Sequence, residues 1–210
     1  MAFGDFDLKA AREKFGLGID ERQDLFSATA ALEVPGYLRQ LLDEWAPAAL
    51  AMNTEKARSE MIIAPILMAA VRLAPPPVSL FSGVTFDVDK DQGLNGACDY
   101  LVTRSAERFY ISHPVVAVVE AKKEDLPGGL GQCVAAMVAA RLYNEREGSP
   151  RRTVFGAVTS GSNWRFLKLE DKTVFIDRPE YYLDRVGQIL GILVRLMTAP
   201  ADQAESREIG

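Results

Sequence analysis

Residues 113–123 read HPVVAVVEAKK, and residues 126–146 read LPGGLGQCVAAMVAARLYNER. The first stretch is apolar and mostly β-branched from Val115 to Val119, then closes on Glu120, Lys122 and Lys123. A short apolar run of this kind is the pattern of a buried strand. The second stretch is alanine-rich with apolar residues at helical spacing. A strand followed by a helix and then by a further strand permits a right-handed parallel crossover. The charged ending of the strand needs a reason, because a buried strand does not close on charge without one.

Working outward, VSLFSGVTFDVD (78–89) and ACDYLVTRS (97–105) predict two strands before this unit, with DQGLNG (91–96) as the turn between them. In the first of them Val84, Phe86 and Val88 alternate with Thr85 and Asp87. RRTVFGAVTS (151–160) and NWRFLKLEDKTVFID (163–177) predict two or three more, with Gly161-Ser162 turning a hairpin and Trp164, Phe166 and Leu167 at the core or its rim. PEYYLDRVGQILGILVRLMTA (179–199) predicts a closing amphipathic helix. Its apolar residues Val186, Ile189, Leu190, Leu193 and Leu196 either cover the core or pair two chains as a homodimer.

Residues 1–54 are expected as a helical extension, with Leu38, Leu41, Leu42 and Trp45 along one helix face. In the next segment, NTEKARSEMIIAPILMAAVRLAPPP, Asn53 or Thr54 is the N-cap, Pro65 a kink and Pro75–Pro77 the stop. The element order is helices, three strands, a helix, two or three strands and a helix. It predicts an α/β chain with a central mixed sheet covered on both faces, a three-layer α/β/α sandwich. One domain is expected over residues 1–200, with its core in 55–200; the polar residues 201–210 are expected to be disordered.

Composition narrows the chemistry. The two cysteines, Cys98 and Cys133, lack metal-type spacing and there is one histidine, so a zinc site is not expected. No apolar run reaches the roughly 18–20 residues of a bilayer span, and the N-terminus does not read as a secretory signal, so a cytoplasmic protein without membrane contact is expected. The net charge of −5 argues against tight stand-alone binding of nucleic acid.

Asp99 falls in the second of the three strands and Glu120 at the end of the third. If these strands are neighbours, the two carboxylates lie side by side and repel unless a cation sits between them. Mg²⁺ suits such a pair: it takes one or two carboxylates, keeps several waters and leaves room for a phosphate oxygen. Alternation puts Lys122 on the same face as Glu120, where it can orient a water or stabilise developing negative charge. The alternative is a partly solvated salt bridge that caps a strand end.

SEMIIAPIL, GACDYLV, VVAVVEAKK and GLGQCVAAMVAARLYNE occur in this order, and together they resemble the PD-(D/E)XK nuclease superfamily. The chain is also similar to the N-terminal nuclease region of type I restriction-enzyme motor subunits. The resemblance spans about residues 55–170 and implies a restriction-endonuclease-like fold that hydrolyses DNA phosphodiesters with Mg²⁺ or Mn²⁺. Carried over residue by residue, it makes Glu60 the helix acid, Asp99 the strand aspartate, Glu120 and Lys122 the E-X-K pair, and Gln132 the helix glutamine. Glu60, Asp99 and Glu120 are then the metal ligands. The proline usually found before the aspartate is replaced by Cys98. Glu55 competes with Glu60 for the helix position, since residues five apart do not share an α-helical face. The implied partner is nucleic acid, with DNA expected. A catalytically inactive module that binds nucleic acid or a protein partner supplying the DNA contacts is the alternative.

Other polar residues have plainer readings. Asp87 and Asp89 are expected as a solvated strand end, Lys123 as a solvated position and Tyr143 as core. His113 has no catalytic partner in sequence. GGLG (128–131) lacks the Lys-Ser/Thr of a phosphate-binding loop and reads as a flexible helix entry where backbone approaches a phosphate.

Overall fold

The computed structural model describes residues 1–200; the tail expected to be disordered lies outside them. The chain is α/β, with a mixed eight-stranded sheet in the order β1-β7-β6-β5-β4-β3-β2, and β8 pairs with β6 off this path. The strands are β1 (Gly18–Asp20), β2 (Ser79–Thr85), β3 (Ala97–Thr103), β4 (Val115–Ala121), β5 (Val154–Thr159), β6 (Asn163–Glu170), β7 (Thr173–Ile176) and β8 (Tyr181–Tyr182). Every residue of β4 is buried, as its apolar run predicts. β4 pairs antiparallel with β3 and parallel with β5. The crossover to β5 is α5 (Leu126–Arg146).

Two apolar cores lie on opposite faces of the sheet. α1 (Leu8–Phe15) and α5 cover one. The other lies under α2 (Gly36–Met52), the continuous run of α3 (Glu55–Arg58) and α4 (Ala64–Leu73), and α6 (Val186–Thr198). Asn144 of α5 is fully buried and completes the start of β4: its amide donates to the Val115 carbonyl at 2.8 Å and accepts from the Val115 N–H at 2.7 Å. Among the described residues no helix is long and apolar enough to cross a membrane.

Several expectations need correction. Residues 1–54 carry α1 and α2, but residues 18–20 form β1, which pairs in parallel with β7 at the sheet edge. Trp45 remains 39 % exposed while Leu38 and Leu42 are buried, so the predicted four-residue face is split. The strand expected over 78–89 ends at Thr85: beyond it Gly96 on the partner side takes a φ of 135°, and regular pairing gives way to the Phe86–Gly96 hydrogen bond and the isolated Asp89–Leu94 bridge. In α6 Ile189, Leu190, Leu193 and Leu196 are buried within the core, which removes that helix face as a surface for pairing two chains.

Pro65 does more than kink. Between α3 and α4 the helix widens to a π-turn over Ser59–Ile63, with the Ala64 N–H bonded to the Ser59 carbonyl. Proline has no N–H to donate to the carbonyl four residues back, and the wider turn accommodates that loss. The Tyr100 hydroxyl donates to the same Ser59 carbonyl at 3.0 Å, fastening the turn to β3.

Candidate active site

The β3–β4 register decides the site. Tyr100 pairs with Val119, so one step further along Asp99 stands across from Glu120. Asp99 is fixed there by the Ala121 N–H, which donates to its Oδ2 at 2.8 Å. Glu120 is 2 % exposed. Burial first, then the neighbouring Asp99, push its carboxyl from 4.5 up to about 8, against the pull of Lys122.

Lys122 answers this charge. Its Nζ donates to Glu120 Oε1 at 2.7 Å and to Gln132 Oε1 at 3.1 Å. Burial works against the ammonium, but Glu120, and beyond it Glu55 and Asp99, hold its pKa above the ordinary lysine value. The side chain lies along α5, where a Cβ on Gly129 would come within 3.0 Å of Lys122 Cγ and 2.7 Å of Val158 Cγ1. The GGLG stretch is therefore not a flexible entry. It lies within α5, and Gly129 is small because Lys122 crosses over it.

A groove of about 310 Å³ opens beside the pair, lined by Glu55, Ser59, Glu60, Ser82, Asp99 and Ala121 among others. A larger concavity between α2 and α6 is lined mostly by apolar side chains, with Arg39, Asp43 and Asp184, and gathers none of these groups. Glu55 and Glu60 both border the small groove, against the expectation that only one would. The π-turn between α3 and α4 re-phases the helix, so residues five apart draw closer to one face. Glu60 itself is 61 % exposed in its side chain and pairs with Lys56 at 2.7 Å. It does not join the carboxylate pair: among the described residues no group of three or more His, Cys, Asp or Glu is assembled to hold a metal. Of the three expected ligands, Asp99 and Glu120 stand across from one another and Glu60 stands apart.

Comparison with family models, curated proteins and solved structures returns no match. The site must be read from its own residues.

Sequence reasoning missed Arg58. This arginine is 7 % exposed. Its Nη1 donates to the Ser160 carbonyl at 2.9 Å and to Ser162 Oγ at 3.3 Å, and its Nη2 to Asn53 Oδ1 at 3.1 Å. It thereby ties the start of α3 to the β5–β6 turn. The same end of β5 holds the site from below: the Thr159 carbonyl accepts the Lys122 N–H at 2.8 Å. The only sequence signal was a cation within the first helical turn after Thr54, which the structure makes the N-cap. Arg58→Ala should cost about 2–3 kcal/mol, the range for lost hydrogen bonds to a charged group, read as a lower urea midpoint. Arg58→Lys should recover part of it, since one ammonium cannot reproduce the fork.

The remaining polar residues are structural. Asp89 pairs with Arg146 at 3.0 Å and Asp87 with Lys90 at 2.9 Å. The Tyr143 hydroxyl donates to the Ile111 carbonyl at 2.9 Å, and its ring meets Phe86 edge-on. Burial, with Glu120 and Asp99 adding to it, raises the Cys98 thiol to about 12, and burial raises Cys133 likewise. Neither thiol is a nucleophile near neutral pH.

Proposed function

We propose that the chain has a restriction-endonuclease-like fold and is a divalent-metal-dependent nuclease acting on DNA phosphodiesters. The observation that carries this reading is the pair of half-buried Asp99 and buried Glu120 on adjacent strands, with Lys122 bonded to Glu120. Two carboxylates this close, one of them driven to about 8, form a donor set that a cation relieves. Mg²⁺ or Mn²⁺ fits, because one or two carboxylates with retained waters satisfy it. Such an ion supplies Lewis-acid polarisation of a phosphate oxygen and makes water more acidic.

The protein groups then divide the work. Asp99 and Glu120 would hold the ion, and the Ala121 N–H keeps Asp99 in place. Lys122 places positive charge where the reacting phosphate gathers negative charge, and Gln132 keeps its ammonium on station. Glu55 and Glu60 border the groove, and Glu55 is the better placed to act as the helix acid, because it acts on Lys122 while Glu60 is held by Lys56.

The test is cleavage of plasmid and single-stranded DNA with Mg²⁺ or Mn²⁺ by the parent, Glu120→Ala and Lys122→Ala. Loss in both variants is expected; equal activity in all three overturns the assignment. One observation favours a second reading, a nuclease-fold module that binds nucleic acid or a protein partner without cutting: among the described residues no third carboxylate joins the pair. Calorimetry separates the two, since absence of binding at millimolar Mg²⁺ and Mn²⁺ selects the second.

A further inference from the structure

A phosphate backbone that enters the groove beside Asp99 meets like charge. Glu55, Glu60 and Asp99 line the groove, and the one cation among its described lining residues is Lys56. Lys122 is already bonded to both Glu120 and Gln132. Lys56 is held far less firmly. Its side chain is 82 % exposed, and its Nζ lies 2.7 Å from the Oε1 of Glu60, itself exposed. An ion pair this open to water is weak, so a phosphate can replace the carboxylate at little cost.

The opposite wall leaves room for that backbone. β2 is the last strand of the sheet, and its exposed Ser82 and Gly83 border the groove. The register pairs Ser82 with Tyr100 and Val84 with Cys98, so Gly83 stands across from Asp99. There the chain takes a left-handed φ of 62°, and a Cβ at this position would meet nothing within 4 Å. A left-handed φ keeps most side chains away from the position. Glycine inside a strand often marks a place where a ligand or another backbone comes close. Asp99 therefore has open space on its β2 side and a replaceable cation on its helix side.

We propose that Lys56 and Gly83 form the substrate-backbone contact of this site. Lys56 takes a DNA phosphate next to the reacting one, exchanging Glu60 for it, and the nucleic-acid backbone passes over Gly83. The contact rests on the nuclease reading for its substrate, but neither residue takes part in the bond cleavage.

Fluorescence anisotropy of labelled DNA, duplex and single-stranded, tests it, with Ca²⁺ in place of Mg²⁺ and salt varied. Lys56→Met combined with Glu60→Gln removes a cation and a carboxylate together and leaves the net charge of the chain unchanged. This double variant should lower the slope of log K against log salt on duplex DNA by about 0.9, the share of one phosphate contact, and weaken binding at 0.1 M salt about eightfold, the worth of that slope between 0.1 and 1 M. Gly83→Asn should weaken binding as well, because asparagine accepts a left-handed φ yet fills the gap, and its melting temperature should fall by a few degrees at most. Both variants should bind Ca²⁺ in calorimetry as the parent does. A double variant with the parent's affinity and salt slope, Gly83→Asn with the parent's affinity, or loss of Ca²⁺ binding in either overturns the proposal, as does a parent that binds no DNA. Cleavage is scored separately. If the parent cuts DNA and both variants bind it normally, this contact falls and the nuclease reading stands. If the parent binds DNA through Lys56 without cutting it, the contact stands and that reading falls.

Discussion

Glu120→Gln is expected to abolish cleavage and, in the same protein, to raise stability at alkaline pH. The native carboxyl lies near 8, against 4.5 for an unperturbed glutamate. Between those values the native state holds a proton that the unfolded chain has released. Stability from this group is therefore complete below about pH 4.5 and is lost as pH rises through about 8. Above that, the buried carboxylate faces Asp99 with only Lys122 to offset it, at a cost on the order of a few kcal/mol. Glutamine keeps the shape and the acceptor for Lys122 Nζ but never ionises. In EDTA at pH 9 the variant should melt about 10 °C above the parent, and near pH 4 the two should coincide. Mg²⁺ should raise the melting temperature of the parent and leave that of the variant nearly unchanged. Cleavage should fall about 1,000-fold, the equivalent of several kcal/mol of lost transition-state stabilisation. A variant that melts below the parent at pH 9 would refute the claim that Glu120 is a frustrated buried charge.

The second large effect is expected from Gly131→Ala. Helix propensity alone predicts a gain of about 1 kcal/mol for alanine within a helix. The packing predicts the opposite sign. A Cβ at residue 131 would overlap the backbone of Phe6 and Asp7, and backbone cannot swing aside as a flexible side chain can. The N-terminal segment would have to lift off α5, exposing Phe3 and Phe6, which are 1 % and 3 % exposed. Overpacking of this kind costs about 3 kcal/mol, enough to outweigh propensity. The urea midpoint should fall. Gly129→Ala meets side chains rather than backbone, so its stability loss should be smaller, while cleavage should drop because Lys122 is displaced. If the glycines served instead to bring backbone to a phosphate, both changes would weaken DNA binding and leave the urea midpoint of Gly131→Ala unchanged or higher.

These expectations show which parts of the chain were legible. The Val115–Ala121 strand and the Leu126–Arg146 helix follow from pattern alone, because a fully buried strand and an alanine-rich helix each leave a strong local signature. The hairpin at Gly161-Ser162 was equally plain: Gly161 takes a φ of 81°, which glycine adopts freely. Asp99, Glu120, Lys122 and Gln132 could be placed on their elements, since alternation along a strand fixes which side chains share a face. β1 was not visible. Three residues carry no period, and its pairing partner β7 lies more than 150 residues away in sequence.

The sequence by itself determined the order of elements, the buried central strand, and the residues able to supply acid, base and cation. Those properties depend on side-chain type and on spacing along one element. Only the tertiary structure decided the rest. The β3–β4 register put Asp99 against Glu120, and the groove beside them is bordered by both Glu55 and Glu60, with Glu60 paired to Lys56. Burial gave Glu120 its raised pKa, and the β5–β6 turn gave Arg58 its partners. The register, the burial of Glu120 and the partners of Arg58 are relations between segments distant in the chain, set by packing and desolvation, and local pattern carries no record of either.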